Sequence, residues 1–243
     1  MDSDSGKRMT FAQKTLIALE MLSVLRAALL PTVFAIFRQP SLLLHGRQLQ
    51  QRIMASIWTG GMGDGVNENN KQVRARLITP NATGIVLDEK TKISKYIAIE
   101  PNLDMHPFII AAAEKSGIPF EILAIGINEL DPYLRVDTVV CVLTLCSVGN
   151  VEKAAHTIYN ALKPGGVLVA FEHVKSKLKE VEWWQRFWEP IWGLLFDSCK
   201  LTVDSLDVLQ RLEWIKAEVS IMEGDIQTNL FVHEHGVFQK PKK

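Results

Sequence analysis

Two short apolar runs, Gly84–Leu87 and Tyr96–Ile99, each run into an acid, Asp88 and Glu100. A carboxylate at the end of a buried strand can accept both hydroxyls of a ribose, which makes Glu100 a candidate for holding a nucleoside cofactor. Its alternative role is a helix N-terminal charge ahead of Pro101. Two further strand ends carry polar groups: Gly126-Ile127-Asn128-Glu129, and Thr144 with Cys146-Ser147. Asn128 or Glu129 could receive the exocyclic amine of adenine, or cap a turn; both readings stay open. In open α/β sheets, ligands bind beyond such carboxyl ends, near the switch in strand order.

The elements that must position these groups follow from periodicity. Short apolar runs predict strands at Gly84–Leu87, Tyr96–Ile99, Phe120–Ala124, Thr138–Leu143 and Val167–Glu172. Between the last two, Val151, Ala154, Ala155, Ile158 and Leu162 recur at helical spacing, and Lys163-Pro164-Gly165-Gly166 stops that helix. Alternation of this kind predicts a mainly parallel sheet with helices on both faces. Ile215–Met222 and Leu230–Gln239 alternate like strands and are placed as an antiparallel edge with a loop around Gly224. Residues 1–9 read as a polar, disordered tail, 10–70 as a helical segment and glycine-rich loop, and 71–243 as the α/β domain.

Composition narrows the function classes. Of 243 residues, 47% are apolar and 22% charged, an ordinary globular balance. Lys+Arg and Asp+Glu are both 27, so net charge gives no reason to expect nucleic-acid binding. Three cysteines in no spaced framework read as reduced thiols in a cytoplasmic protein. Without CxxC or paired Cys/His spacing, no metal site is expected. His233-Glu234-His235 reads as surface structure.

Residues 15–37 are apolar, but Glu20 and Arg26 interrupt them and Pro31 and Pro40 are expected break points. Three placements stay open: a helix packed on the domain, a helix lying on a cytosolic membrane face, and a span. Lys7, Arg8, Lys14, Arg26 and Arg38 would suit anionic headgroups, so residues 10–40 are the candidate for peripheral membrane contact.

The run VDTVVCVLTLCSVGNVEKAAHTIYNALKPGGVLVAFEHV (136–174), followed by FWEPIWGLLFDSCKLT (187–202), resembles the second half of a class I S-adenosylmethionine-dependent methyltransferase. It is most similar to the methyltransferase-like 7 group, the animal thiol methyltransferases, and their fungal relatives. The resemblance implies a Rossmann-like, doubly wound α/β fold and S-adenosylmethionine as cofactor. Asp88 and Glu100 would then be strand-end acids of the cofactor site, with Glu100 on the ribose. Asn128 and Glu129 would lie by the adenine, and Leu143 and Thr144 by the methionine part. Trp184, Trp188 and Phe196 would wall the acceptor pocket, with His173 or Asp197 as the base. The acceptor would be a thiol, or an amine or hydroxyl of a specialised metabolite.

One motif departs from the family. Relatives carry a GxGxG turn after the first strand, whose glycines let backbone amides approach the cofactor. Here the chain has Glu89-Lys90-Thr91-Lys92, and Asp88 to Tyr96 is shorter than the dozen or so residues a crossover needs. Gly61-Met62-Gly63-Asp64-Gly65 spells the motif elsewhere, but without strand–turn–helix context it reads as a flexible loop. The functional alternatives are a working methyltransferase, a descendant that binds a metabolite or partner without methyl transfer, or an enzyme whose loop a splice variant removed.

Overall fold

The computed structural model describes residues 9–64, 68, 93–222 and 228–243. The expected strand Gly84–Leu87, Asp88 and the shortened turn after it lie outside these residues.

Helix α1 (Phe11–Arg38) opens on a capping box: Thr10 Oγ1 accepts from the Gln13 N–H, and Gln13 reciprocates. Pro31 does not break it. Proline's fixed φ suits a helix, so only one backbone hydrogen bond is lost, and leucines and alanines on either side sustain the turn. The break comes at Gln39, after which a 3₁₀ turn (Pro40–Leu44) leads into α2 (Gly46–Ile57). α2 runs on into a wide turn, Trp58–Met62, with Gly61 at φ 119°. Gly61, with non-helical backbone angles, kinks the chain between two helical stretches, and Gly65 of the expected loop lies outside the described residues. A Cβ on Gly63 would lie 2.9 Å from the Trp58 carbonyl, so this glycine serves the helix's own packing.

Two sheets carry the rest. β1 (Tyr96–Ile99) pairs in parallel with β2 (Phe120–Leu123) across α3 (His106–Ser116), which Gly117 ends at φ 67°. β3 (Val136–Val142), α4 (Val151–Ala161) and β4 (Leu162–Val174) form a second parallel unit. Its register jumps from Val136↔Leu162 to Thr138↔Val167, so Lys163–Gly166 bulges out of the ladder, with Gly165 at φ 76°. α5 (Lys179–Leu195) and α6 (Ser205–Gln210) follow, then β5 (Lys216–Ile221) and β6 (Val232–Gln239). The second sheet has the order β3-β4-β6-β5, its last two pairings antiparallel. This is the expected Rossmann-like α/β arrangement with N-terminal helices and an antiparallel C-terminal edge.

One reading is corrected. β6 lies between β4 and β5, not at the surface. Glu234 is buried and paired with Lys177 at 3.5 Å, and His233 stacks on Phe171 at 5.3 Å. A run of charged residues looked like a solvated face, whereas the pairing partners on both sides close over it.

Alternation along β4 divides the core. Leu168, Ala170 and Val174 face α4 and α6 with Cys141, Leu145 and Ile158. Val167, Val169 and Phe171 face the other way with Val237. Above the strand ends, a third cluster joins Ile17, Met21 and Ala28 of α1, Ile53 and Ile57 of α2, and Val181, Trp192 and Leu195 of α5. Met9, expected in a disordered tail, belongs to it too, with its N–H donating to Glu180; residues 1–8 lie outside the described residues. The N-terminal helices therefore roof the end of the sheet where chemistry is expected.

Candidate active site under the helical roof

Glu100 follows β1, and its Oε1 accepts from the Asn102 N–H at 2.7 Å. His106 Nε2 meets the Glu100 carbonyl at 2.8 Å. Asn102, itself buried, donates through Nδ2 to the Gln51 carbonyl of α2 at 3.0 Å, and Arg52 of α2 pairs with Asp104 at 3.0 Å. Burial pushes the Glu100 carboxyl above its ordinary range; the Asn102 N–H opposes this and nearby Asp197 adds to it. Asp197 is pushed up by burial as well, against Arg47 and Gln51. Two expected site acids, 97 positions apart in sequence, thus share one half-buried region that α2 closes.

At the end of β3 the backbone turns back at Leu143, with φ 52°, and Leu143 N–H donates to Phe171 at 2.8 Å. The next two amides point at Glu172: its Oε1 accepts from Thr144 N–H at 3.0 Å, Thr144 Oγ1 at 3.2 Å and Leu145 N–H at 3.1 Å. Thr144 therefore spends its hydroxyl on Glu172. Glu172 is fully buried, its Oε2 has no partner among the described residues, and burial raises its pKa to about 7. The positive φ at Leu143 is held because these bonds over-determine it.

His173, on the opposite face of β4 from Glu172, is also buried. Its Nε2 lies 2.9 Å from Cys199 Sγ, and Cys199 Sγ lies 3.0 Å from Cys146 Sγ. Burial alone would depress the imidazole, but Cys199 outweighs it and the net direction is up. Burial likewise opposes a Cys199 thiolate, yet the Cys146 thiol and His173 more than offset it and hold its pKa well below the ordinary value. Cys141, by contrast, is pushed up to about 12 by burial and is inert. His173 is thus engaged inside the protein and does not line an open pocket as a free base.

The aromatic residues of α5 split in two. Trp192 and Phe196 are buried and stacked at 3.9 Å, with Trp192 edge-on to His173 at 6.4 Å. Trp184 and Trp188 are half-buried against the roof cluster, and the Trp188 indole N–H has no acceptor among the described residues. Asp197 and Ser198 follow at φ 46° and 67°, a strained pair that turns the chain toward Cys199. After β2, Asn128 and Glu129 sit in a 3₁₀ turn; Asn128 Nδ2 reaches the Asn150 carbonyl at 3.4 Å, while its buried Oδ1 has no described partner.

Residues 82–170 match the family model of a methyltransferase domain. Over that stretch the chain is similar to methyltransferases. The human thiol S-methyltransferase TMT1A is 33% identical over 137 residues, covering 54% of this chain and 56% of the human protein. The thiol S-methyltransferase TMT1B of Rattus norvegicus is 29% identical over 130 residues, 51% of this chain and 53% of that protein. The chain thus spans about half the length of the curated relatives it matches. Among solved structures, a candidate O-methyltransferase of Nostoc punctiforme PCC 73102 aligns with a TM-score of 0.50 at 12% identity, over 77% of this chain and 60% of that one.

The described residues fit S-adenosylmethionine at two points. Glu100 Oε2 makes no described hydrogen bond and can accept from a ribose, and Asn128 Oδ1 is an unsatisfied acceptor suited to an adenine amine. Sequence reading missed Gln51, Asn102 and His106, which position Glu100, and Glu172, which positions Thr144. Polarity at strand ends was the available signal for Glu172; the contacts of α2 leave none. It also missed that Cys199 meets His173, 26 positions away, and Cys146, 53 positions away.

Proposed function

We propose that the chain transfers a methyl group from S-adenosylmethionine to the sulfur of a small, apolar thiol. The observation that carries this reading is the half-buried Glu100 carboxylate at the carboxyl end of β1, under α2, within a domain similar to thiol S-methyltransferases. Glu100 would hold the ribose and Asn128, with Glu129 beside it, the adenine. Leu143 and Thr144 would pass the methionine part, with Asp88 beside the shortened turn. When bound, the cofactor supplies an electrophilic sulfonium methyl. The chain's own contribution is orientation and exclusion of water by α1, α2 and α5. Trp184, Trp188 and Phe196 would favour an apolar acceptor, and Asp197, whose pKa burial raises, would receive the proton. An amine or hydroxyl of a specialised metabolite is the alternative acceptor.

The exposed apolar face of α1 supports peripheral contact with a cytosolic membrane surface, where apolar thiols concentrate. A second reading, a metabolite-binding protein that no longer transfers methyl groups, is favoured by the absent glycine turn. Calorimetric titration with S-adenosylmethionine separates the two, followed by mass detection of methyl thioether from an alkyl thiol. Saturable cofactor binding with product supports the enzyme. No binding at millimolar cofactor removes it.

A further inference from the structure

We propose that Cys146, His173 and Cys199 form a three-ligand site for Zn²⁺, whose open position takes the sulfur of the methyl-accepting thiol. This rests on the thiol methyltransferase reading. The three ligand atoms lie within 4.8 Å of one another, and all three residues are buried. They come from three separate places: the loop after β3, the end of β4 and the turn after α5. Two thiolates and an imidazole are a soft donor set that suits zinc and excludes Mg²⁺ or Ca²⁺. Three protein ligands with a free fourth position is the pattern of catalytic zinc, whereas structural zinc takes four.

The backbone that carries the ligands is held without any metal. Lys200 N–H donates to the Cys146 carbonyl at 3.0 Å, joining the two cysteine loops. Glu172 locks Thr144 and Leu145 just before Cys146, and His173 lies in register with His233 of β6. The present S–S and N–S spacings of 3.0 and 2.9 Å are those of hydrogen-bonded groups. Tetrahedral zinc, with Zn–S about 2.3 Å and Zn–N about 2.0 Å, would set them near ~3.8 and ~3.5 Å. Small side-chain rotations of under ~1 Å supply the difference. Cys141 belongs to the other face of β4 and takes no part.

The chemistry balances without an oxidant or reductant. Binding of Zn²⁺ displaces two protons, one from Cys146 and one from the Cys199–His173 pair, and leaves a neutral site. An incoming R–SH coordinates through sulfur, its S–H bond breaks and the proton passes to Asp197 and on to solvent, because a coordinating thiol is deprotonated outright. A sulfur lone pair then forms the new S–CH₃ bond. The bond between that methyl and the sulfonium sulfur breaks, its electron pair stays on the leaving sulfur, and R–S–CH₃ and neutral S-adenosylhomocysteine result. Trp192 and Phe196 beside the ligands keep water from the fourth position and select an apolar R group.

Cobalt tests the site without relying on turnover. Full-length protein, kept reduced with a phosphine, is titrated with Co²⁺ and followed by absorption. About one Co²⁺ per chain is expected, with thiolate-to-cobalt bands in the near ultraviolet and intense tetrahedral bands in the visible, all removed by Zn²⁺. Adding an alkyl thiol without cofactor should shift the visible bands. Cys199→Ser and Cys146→Ala should each weaken Co²⁺ binding at least tenfold, and Cys141→Ser should leave it unchanged, with near-ultraviolet circular dichroism reporting that each variant folds. Absent bands, or bands unaffected in both Cys146→Ala and Cys199→Ser, overturn the site. So does methyl transfer at an undiminished rate after chelation, which would leave the functional reading standing. Cobalt bands that respond to thiol in a protein that never methylates would instead keep the site and sink the methyltransferase reading.

Discussion

At the scale of single residues, a half-buried carboxylate, Glu100, and a buried one, Glu172, do different work, and substitution should separate them. Glu100 keeps one oxygen for a ligand, so Glu100→Ala should weaken S-adenosylmethionine binding about 10- to 100-fold, the equivalent of losing a charged hydrogen bond. Calorimetry would show this, alongside a modest fall in melting temperature because the Asn102 N–H loses its acceptor. The pH dependence has a defined sign. Burial lifts the Glu100 pKa above its ordinary 4.5, so the ionised, ribose-accepting form is lost at a higher pH than for a free glutamate. Cofactor affinity should therefore fall on acidification with a midpoint above 4.5, and Glu100→Ala should flatten that profile. Glu172 is a positioning residue. Glu172→Ala strands the Thr144 and Leu145 amides and should cost about 2–4 kcal/mol in a urea melt. Glu172→Gln keeps an acceptor for them and should stay within about 1 kcal/mol of the parent. If the two variants melt together, the Thr144–Leu145 turn does not depend on these bonds. Glu100 was legible in the sequence because a lone acid after YIAI is a local pattern. The Cys146–His173–Cys199 group was not, because spacing rules find metal ligands that are close in the chain, and these three are joined only by the fold.

Among the elements, local periodicity carried far. Tyr96–Ile99 stands in the structure at its expected bounds, the helix after Val151 likewise begins there, and the two late strands fall inside Ile215–Met222 and Leu230–Gln239. What periodicity could not supply was strand order, so His233-Glu234-His235 was read as surface structure although β6 is flanked on both sides. Nor could local rules see that packing overrides Pro31. Ile17, Met21 and Ala28 anchor one face of α1 in the roof cluster, and that burial outweighs the hydrogen bond proline removes. Pro31→Ala should restore the bond and stabilise the chain by roughly 1–3 kcal/mol in denaturant melts. A destabilised variant would mean the proline ring itself packs to advantage in the cleft it lines with Phe34 and Leu42. α5 is fastened differently, by a buried glutamine: Gln185 Nε2 donates to the carbonyls of Val174 at 3.1 Å and Leu230 at 3.0 Å, and Oε1 accepts from Ser176 at 2.9 Å. This clamp fixes the helix that presents Trp188 and Trp192 to the site.

For the molecule as a whole, α1 joins the site's roof to an uncovered apolar surface. Its mean hydropathy is 1.8 over the best 18-residue window, yet only 17% of that window is buried. Phe11, Leu30 and Phe37 are 87%, 77% and 82% exposed, which is more apolar surface than a water-facing helix carries. A spanning placement would have to strip Ile17, Met21 and Ala28 from the cluster that also holds Cys146 and Cys199, and would unroof the site. A helix lying on the surface keeps both faces satisfied: one in the core, the other in the acyl boundary, with Arg26 and Arg38 exposed to anionic headgroups while Lys14 pairs with Glu180. The double substitution Leu30→Glu with Phe37→Glu therefore discriminates. Each side chain contributes about 1.5–3 kcal/mol when fully buried in lipid. Co-flotation with vesicles containing anionic phospholipid should fall at least tenfold, while the melting temperature stays put because neither residue packs in the core. If the substitutions instead abolish self-association seen by sedimentation and leave flotation unchanged, the face is an interface between copies. The roof would then be closed by protein rather than by lipid, and apolar thiols would have to reach Cys199 from water.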